Sequence, residues 1–284
     1  MRIAVQHRTV YRYDCAVRLD AHTFRLRPRS NSAQRLLMWE IHVTPIPAGT
    51  SECLDQDGNL AFIARFDSLT RELTVASHFR IDILRDNPFD FALNEASLNL
   101  PLKYVQPLCA ALAPYLDCAR VHETVRQYAT TIAFGVRWNS LSFLDALNQR
   151  LFTACRQMTR PDGAPWPADV TLRRLEGSCR DLAVLFCDAC RVMGIAARFV
   201  SGYESAAAGR QDSYMHAWAE VYLPGAGWRG YDPSRGLVVA RGHVAVAAGF
   251  DHNLASPIAG SFSGGVATHM ETSLEMQVEP ESNR

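Results

Sequence analysis

The chain has 284 residues, 48% of them hydrophobic and 20% charged, enough for one large domain or two smaller ones with buried cores. Its 29 Lys and Arg balance 29 Asp and Glu, so the formal net charge is zero. A neutral chain exerts no long-range pull on phosphate backbones or anionic lipid, which argues against nucleic acid and membrane surfaces as partners. The first residues, MRIAVQHRTVYRYD, alternate apolar and polar character rather than presenting a secretory signal, and no apolar run reaches the roughly 18 residues of a membrane span. The expectation is a soluble, cytoplasmic protein. Its cysteines lack the dense spacing of a small secreted framework and are expected to be reduced, mostly as small buried apolar side chains.

Residues 1–85 read as an antiparallel β domain. Ile3, Val5, Thr9, Tyr11 and Tyr13 share the odd positions and Gln6, Arg8 and Arg12 the even ones, the alternation of a half-buried strand. Leu73, Val75, Phe79, Ile81 and Ile83 repeat it; LLMWEIHV is a further strand, and DQDGN before LAFIARF is a hairpin turn. Residues 86–119 carry Pro88, Pro101, Pro107 and Pro114 and read as a linker packed between domains. Residues 120–284 read as a second, catalytic unit that includes the C-terminal strands. It opens with helices over ARVHETVRQYATTIA and SLSFLDALNQRLFTACRQM, the second capped by Ser140 or Ser142. After the Pro-rich loop TRPDGAPWPAD come a loop, a helix over CRDLAVLFCDACRVM, a stop at Gly194, and strands over ARFVSGY, HAWAEVYL, WRGYD, HVAVAAG and SLEMQVE.

Chemistry concentrates at three positions. Cys179 stands between the turn EGS and the first turn of its helix, where the helix dipole and unpaired amides favour a thiolate. Its own peptide N–H is then free to donate to an oxyanion. Asp181, in the same first turn, reads as a helix-start residue. His216 opens HAWAEVYL and Asp232 ends the next strand before Pro233, so adjacent antiparallel strands could pair imidazole with carboxylate. One condition applies. An even, four-residue loop at PGAG would put Asp232 on the face opposite His216; an odd loop or a glycine bulge at Gly225 or Gly227 is required. Cys187 and Cys190 form a C-x-x-C pair that Cys179 and His216 could complete as a zinc site. Both lie inside the helix and no second C-x-x-C exists, so neither metal nor cofactor is expected.

These residues carry a resemblance. GSCRDLAVLFCDACRVMGIAARFVSGY followed by HAWAEVYLPGAGWRGYDPSRG resembles the core of the bacterial transglutaminase-like superfamily. HRTVYRYD with HTFRLRPR resembles the β-rich region preceding that core, and HVAVAAGFDHNLASPIAGSF its C-terminal segment. The resemblance implies an α+β, papain-like core with Cys179 as nucleophile, His216 as base and Asp232 as orienting acid. It implies attack on a carboxamide or peptide carbonyl through a thioester, then hydrolysis or transfer to an amine, with a peptide or protein amide as substrate. It also implies a second oxyanion donor upstream of the nucleophile, for which Trp166 is the nearest candidate. Calcium-dependent members carry acidic clusters, and this chain has no comparable run. The chain departs from the family pattern at Phe250, Asp251 and His252, where an Arg and an aromatic are expected. Rival readings are acetyl transfer from a thioester donor and a non-catalytic peptide-binding module using the same cleft.

Overall fold

The computed structural model describes residues 1–160, 163–205, 215–264 and 267–279. Alternation at the N-terminus builds β1 (Arg2–Leu19), with Ile3, Val5, His7 and Thr9 buried and Gln6 and Arg8 exposed. It is followed by β2 (His22–Phe24), β3 (Gln34–Thr44), β4 (Gly49–Leu54), β5 (Leu60–Arg65) and β6 (Leu69–Ile83). The DQDGN turn joins β4 to β5. Its Asp55 carboxylate accepts from the peptide N–H groups of Asp57 (3.0 Å) and Asn59 (2.9 Å), and Gly58 supplies a positive φ of 73°.

The stretch expected as a linker contains α1 (Leu108–Leu116), and it packs as part of the next core: Leu100, Leu102, Tyr104 and Leu112 are buried in the helical cluster. Then come α2 (Glu123–Gly135), α3 (Ser140–Ala154), β7 (Arg156–Gln157), α4 (Ala168–Arg174), β8 (Glu176–Gly177) and α5 (Cys179–Val192). The cap of α3 is Asn139, whose side-chain oxygen accepts from the Ser142 N–H at 3.0 Å, so neither Ser140 nor Ser142 plays that part. Pro161 and Asp162 of the Pro-rich loop lie outside the described residues. Past α5, Gly194 takes φ +69°, and a Cβ there would stand 2.7 Å from the Leu102 carbonyl.

The second sheet system holds β9 (Ala197–Glu204), β10 (His216–Leu223), β11 (Gly227–Asp232), β12 (Leu237–Val238) and β13 (His243–Gly249) in the order β12-β11-β10-β9-β13. Ala219, Val221 and Leu223 of β10 join Leu182, Leu185 and Phe186 of α5 in one buried cluster, which seats the helix against the sheet.

The last strands, β14 (Ile258–Ala259), β15 (Phe262–Ser263) and β16 (Thr268–Glu279), do not belong to this core sheet. β14 pairs with β2, while β15 and β16 pair with β1, β16 along Arg2 to Tyr13. The expected assignment of the C-terminal strands to the catalytic unit is therefore corrected: they complete the N-terminal sheets. β6 covers one edge of β1 and β16 covers the other.

The β region is docked on the core by apolar and polar contacts. Ile3, Val5, Phe79 and Ile81 pack on Tyr203, Val244 and Val246. Two buried carboxamides then bind β13 as a neighbouring strand would. Gln34 accepts from Ala245 N–H (2.9 Å) and donates to its carbonyl (2.8 Å); Asn59 does the same to Ala248 (2.9 and 2.7 Å).

Candidate active site

The N-terminus of α5 is fixed by Asp181. This carboxylate is fully buried; one oxygen accepts from the N–H and hydroxyl of Ser178 (2.7 Å each), the other from the Trp166 N–H (2.6 Å) and Arg160 (3.1 Å). An acid here satisfies amides that the helix start leaves open and complements the positive end of the dipole. Arg160 and Trp166 are thereby tied to the start of the helix, whose first residue is Cys179.

The hairpin from β10 to β11 has an odd loop. Leu223 pairs with Gly227 and Tyr222 with Trp228, leaving Pro224, Gly225 and Ala226 between them. The Ala226 N–H closes a turn on the Leu223 carbonyl at 2.9 Å, with Pro224 and Gly225 in its centre. Gly225 takes φ +89°, the left-handed position of a type II turn. The parity is the one the chemistry requires: Ala219 faces Tyr231, which puts Asp232 on the face of β10 that carries His216.

The structure brings Cys179, His216 and Asp232 together. His216 Nε2 donates to Asp232 Oδ2 at 2.6 Å, leaving Nδ1 as the nitrogen available to the sulfur. Cys179 and His216 line the same cleft, and the His216 side chain and the Ala217 peptide N–H lie close enough to the sulfur to favour its charged form. Asp232 is fully buried. Its Oδ1 accepts from Ser234 N–H (3.0 Å), Ser234 Oγ (2.7 Å) and Arg235 N–H (3.2 Å).

Electrostatics follow from these contacts. Burial opposes a charge on Cys179, but the hydrogen bond and charge of His216 and the Ala217 amide outweigh it and lower the thiol below its ordinary value. Burial likewise opposes an imidazolium at residue 216. The charge and hydrogen bond of Asp232, with those of Cys179, prevail and push His216 up to about 10. Asp232 is held well below the usual carboxylate range despite its burial, by His216 first and His243 second. These shifts favour a charged sulfur and a charged ring over their neutral forms.

His243 was not singled out in the sequence, where HVAVAAG reads only as a strand. Its Nε2 lies 3.0 Å from Asp232 Oδ2, so one carboxylate oxygen takes hydrogen bonds from two imidazoles. A histidine opening an otherwise Val, Ala and Gly strand was the available signal, since a buried polar group needs a partner. The donor atoms of His216, Asp232 and His243 lie within 4.8 Å of one another, the spacing of a metal-ligand set. Hydrogen-bond distances to the shared oxygen account for that spacing without a cation.

The remaining candidates lie elsewhere. Cys187 and Cys190 are buried in the helical core, where burial pushes the Cys187 thiol up to about 12 and Cys190 well above its ordinary value, opposite to a metal-ready thiolate. The guanidinium groups of Arg160 (4.5 Å) and Arg174 (4.7 Å) lie over the Trp166 ring, and the Trp166 peptide N–H donates to Asp181. Its neighbours Ala164 and Pro165 are among the residues that line the cleft.

Cys179 and His216 open into a cleft of about 760 Å³. Residues 157–160 and 163–165 form one wall. His7, Thr9 and Tyr11 of β1, with Met270 and Thr272 of β16, form another. His252, one of the positions departing from the family pattern, lines the cleft with its ring edge-on to Phe199 at 6.4 Å. Among the described residues, no helix is long and apolar enough to cross a membrane.

The family description "Transglutaminase-like superfamily" matches residues 129–233, which contain Cys179, His216 and Asp232. "Bacterial transglutaminase-like N-terminal region" matches residues 3–82. An uncharacterised protein of Mycobacterium tuberculosis is 27% identical over 273 residues, covering 91% of this chain and 87% of its own. One from Mycobacterium leprae is 25% identical over 293 residues, covering 97% and 98%. A solved structure from Cytophaga hutchinsonii, described as a candidate cysteine protease, shares the fold with a TM-score of 0.73 at 20% identity, over 99% of this chain and 92% of that one. On its two matched regions and shared fold, the chain belongs to the transglutaminase-like superfamily, in the form that carries the bacterial N-terminal region.

Proposed function

We propose that the protein is a cysteine-dependent amide or peptide bond hydrolase or acyl transferase, with Cys179 as nucleophile, His216 as acid and base, and Asp232 as the group that orients it. The observation that carries this reading is the contact chain from sulfur to imidazole to buried carboxylate at the floor of an open cleft.

The Cys179 thiolate adds to the substrate carbonyl, forming a C–S bond and moving the π electrons onto oxygen. The Cys179 peptide N–H, at the helix start, is placed to donate to that oxyanion. As the intermediate collapses, the imidazolium of His216 gives its Nδ1 proton to the departing nitrogen and the C–N bond breaks, leaving a thioester and a free amine or ammonia. His216, now neutral, takes a proton from an incoming water or amine as it attacks the thioester. Water releases an acid and an amine releases a new amide; in both cases the thiolate leaves and the imidazolium is restored. Asp232 keeps its charge throughout and holds the ring tautomer.

The substrate class supported is a peptide or protein amide. The cleft is open, and its far wall comes from the β region, so β1 and β16 would contact the chain on either side of the scissile bond. The test is to profile wild type and Cys179→Ala against peptide and glutamine-amide libraries, with and without an added primary amine. Cleavage by wild type alone supports the hydrolase, and a new isopeptide formed only with amine supports the transferase. Equal processing by both proteins would sink the proposal.

A further inference from the structure

A second and much smaller cavity, of about 30 Å³, lies against Trp218, His243, Glu220, Arg85 and Val239. Neither Trp218 nor His243 lines the catalytic cleft. Both are sealed: Trp218 is 1% and His243 6% exposed. Trp218 Nε1 and His243 Nδ1 have no hydrogen-bond partner in the protein, and the two rings meet edge-on at 5.2 Å. Two orphaned polar atoms on one wall of one cavity are rare in a folded chain and call for a common explanation.

The chemistry of the two groups supplies it. An indole N–H can only donate. An imidazole that donates through Nε2 to Asp232 presents Nδ1 as an acceptor. One water, accepting from the indole and donating to the imidazole, satisfies both, and the cavity volume suits a single water. We propose that this cavity holds a structural water bridging Trp218 Nε1 to His243 Nδ1, which fixes His243 in its Nε2–H tautomer and makes it a positioning residue for Asp232.

Oδ2 of Asp232 is then held from two sides, by His216 at 2.6 Å and His243 at 3.0 Å, while Oδ1 is held by Ser234 and the Arg235 N–H. The carboxylate cannot rotate away from His216. The charged groups beside the cavity are Glu220, which is ion-paired with Arg198 at 2.6 Å, and Arg85. The water and the tautomer stand on geometry alone; the role in the reaction rests on the proposed Cys179, His216 and Asp232 chemistry.

The first measurement uses the wild-type protein with 15N-labelled histidine. Ring couplings are expected to put the His243 proton on Nε2, with Nδ1 showing the shift of an accepting nitrogen. An Nδ1–H tautomer or an imidazolium at residue 243 overturns the proposal. The second measurement follows iodoacetamide alkylation of Cys179 against pH in His243→Leu and His243→Gln. The Leu variant is expected to move the low-pH limb up by about one pH unit. The Gln variant, whose amide offers an N–H to Asp232, is expected to restore most of that shift. If both variants only lower the melting temperature and leave the limb in place, the positioning role is wrong. If wild type shows the expected tautomer while Cys179 alkylates as an ordinary thiol, the tautomer stands and the catalytic reading falls.

Discussion

Cys179 acquires its character from neighbours that the fold delivers from two strand ends: Ala217 and His216 at the start of β10, and Asp232 at the close of β11. The sign of its pH behaviour follows. Because His216 and the Ala217 amide lower the thiol, while Asp232 and Cys179 raise His216 to about 10, alkylation should begin at lower pH than for a free cysteine, which reacts as pH approaches roughly 8.5. In His216→Ala the rate at neutral pH should fall to that of an unassisted thiol. Asp232→Asn should keep the fold and lower turnover by about 10³- to 10⁴-fold, since an amide favours the wrong ring tautomer; steady-state rates on any substrate found by profiling provide the check. Asp181 affects stability rather than chemistry. Asp181→Ala leaves the amides of Ser178 and Trp166 and the Arg160 charge without their acceptor, a loss of roughly 3 kcal/mol measurable by urea unfolding. At this scale the sequence put Cys179 at a helix start, His216 at the opening of one strand and Asp232 at the end of the next, where the structure has them. It did not disclose His243, whose contact with Asp232 depends on which face packs against what.

Elements repeat that division. The hairpin parity could be reasoned from the loop PGAG and the need to place Asp232 beside His216, and the three-residue loop meets it. The seven-residue α4 escaped because it is too short to show a helical period, and it ends at Leu175, with φ +50°, rather than at a glycine that would mark a stop. The cap at Asn139 was passed over for serines one and three residues on, although asparagine caps equally well. Gly202 offers a test of strand packing behind the site. It sits opposite His216 on β10 and Ala245 on β13, and a Cβ there would meet the Val244 carbonyl at 2.1 Å and the Trp218 ring at 2.6 Å. Gly202→Ala should therefore cost roughly 2–4 kcal/mol and slow alkylation of Cys179 by displacing β10. Thermal unfolding and iodoacetamide kinetics on one preparation separate these two effects.

Across the whole molecule, the β region and the core are bound by a buried apolar face and by Gln34 and Asn59 acting on β13. Asn59→Ala should leave the Ala248 amide and carbonyl buried without partners and lower stability by roughly 2–4 kcal/mol. Amide hydrogen exchange should report the loss first in β13 and the turn between β4 and β5. That the last strands return to the first sheet was not legible, because local alternation identifies a strand but says nothing of a partner some 260 residues away.

The return of β16 to β1 has a consequence for biosynthesis. A chain made from its amino end builds Cys179, His216 and Asp232 before it makes Met270 and Thr272, which finish one wall of the cleft. A nascent chain halted before residue 268 would expose the reactive sulfur in a half-built groove, beside a bare β1 edge open to pairing with other chains.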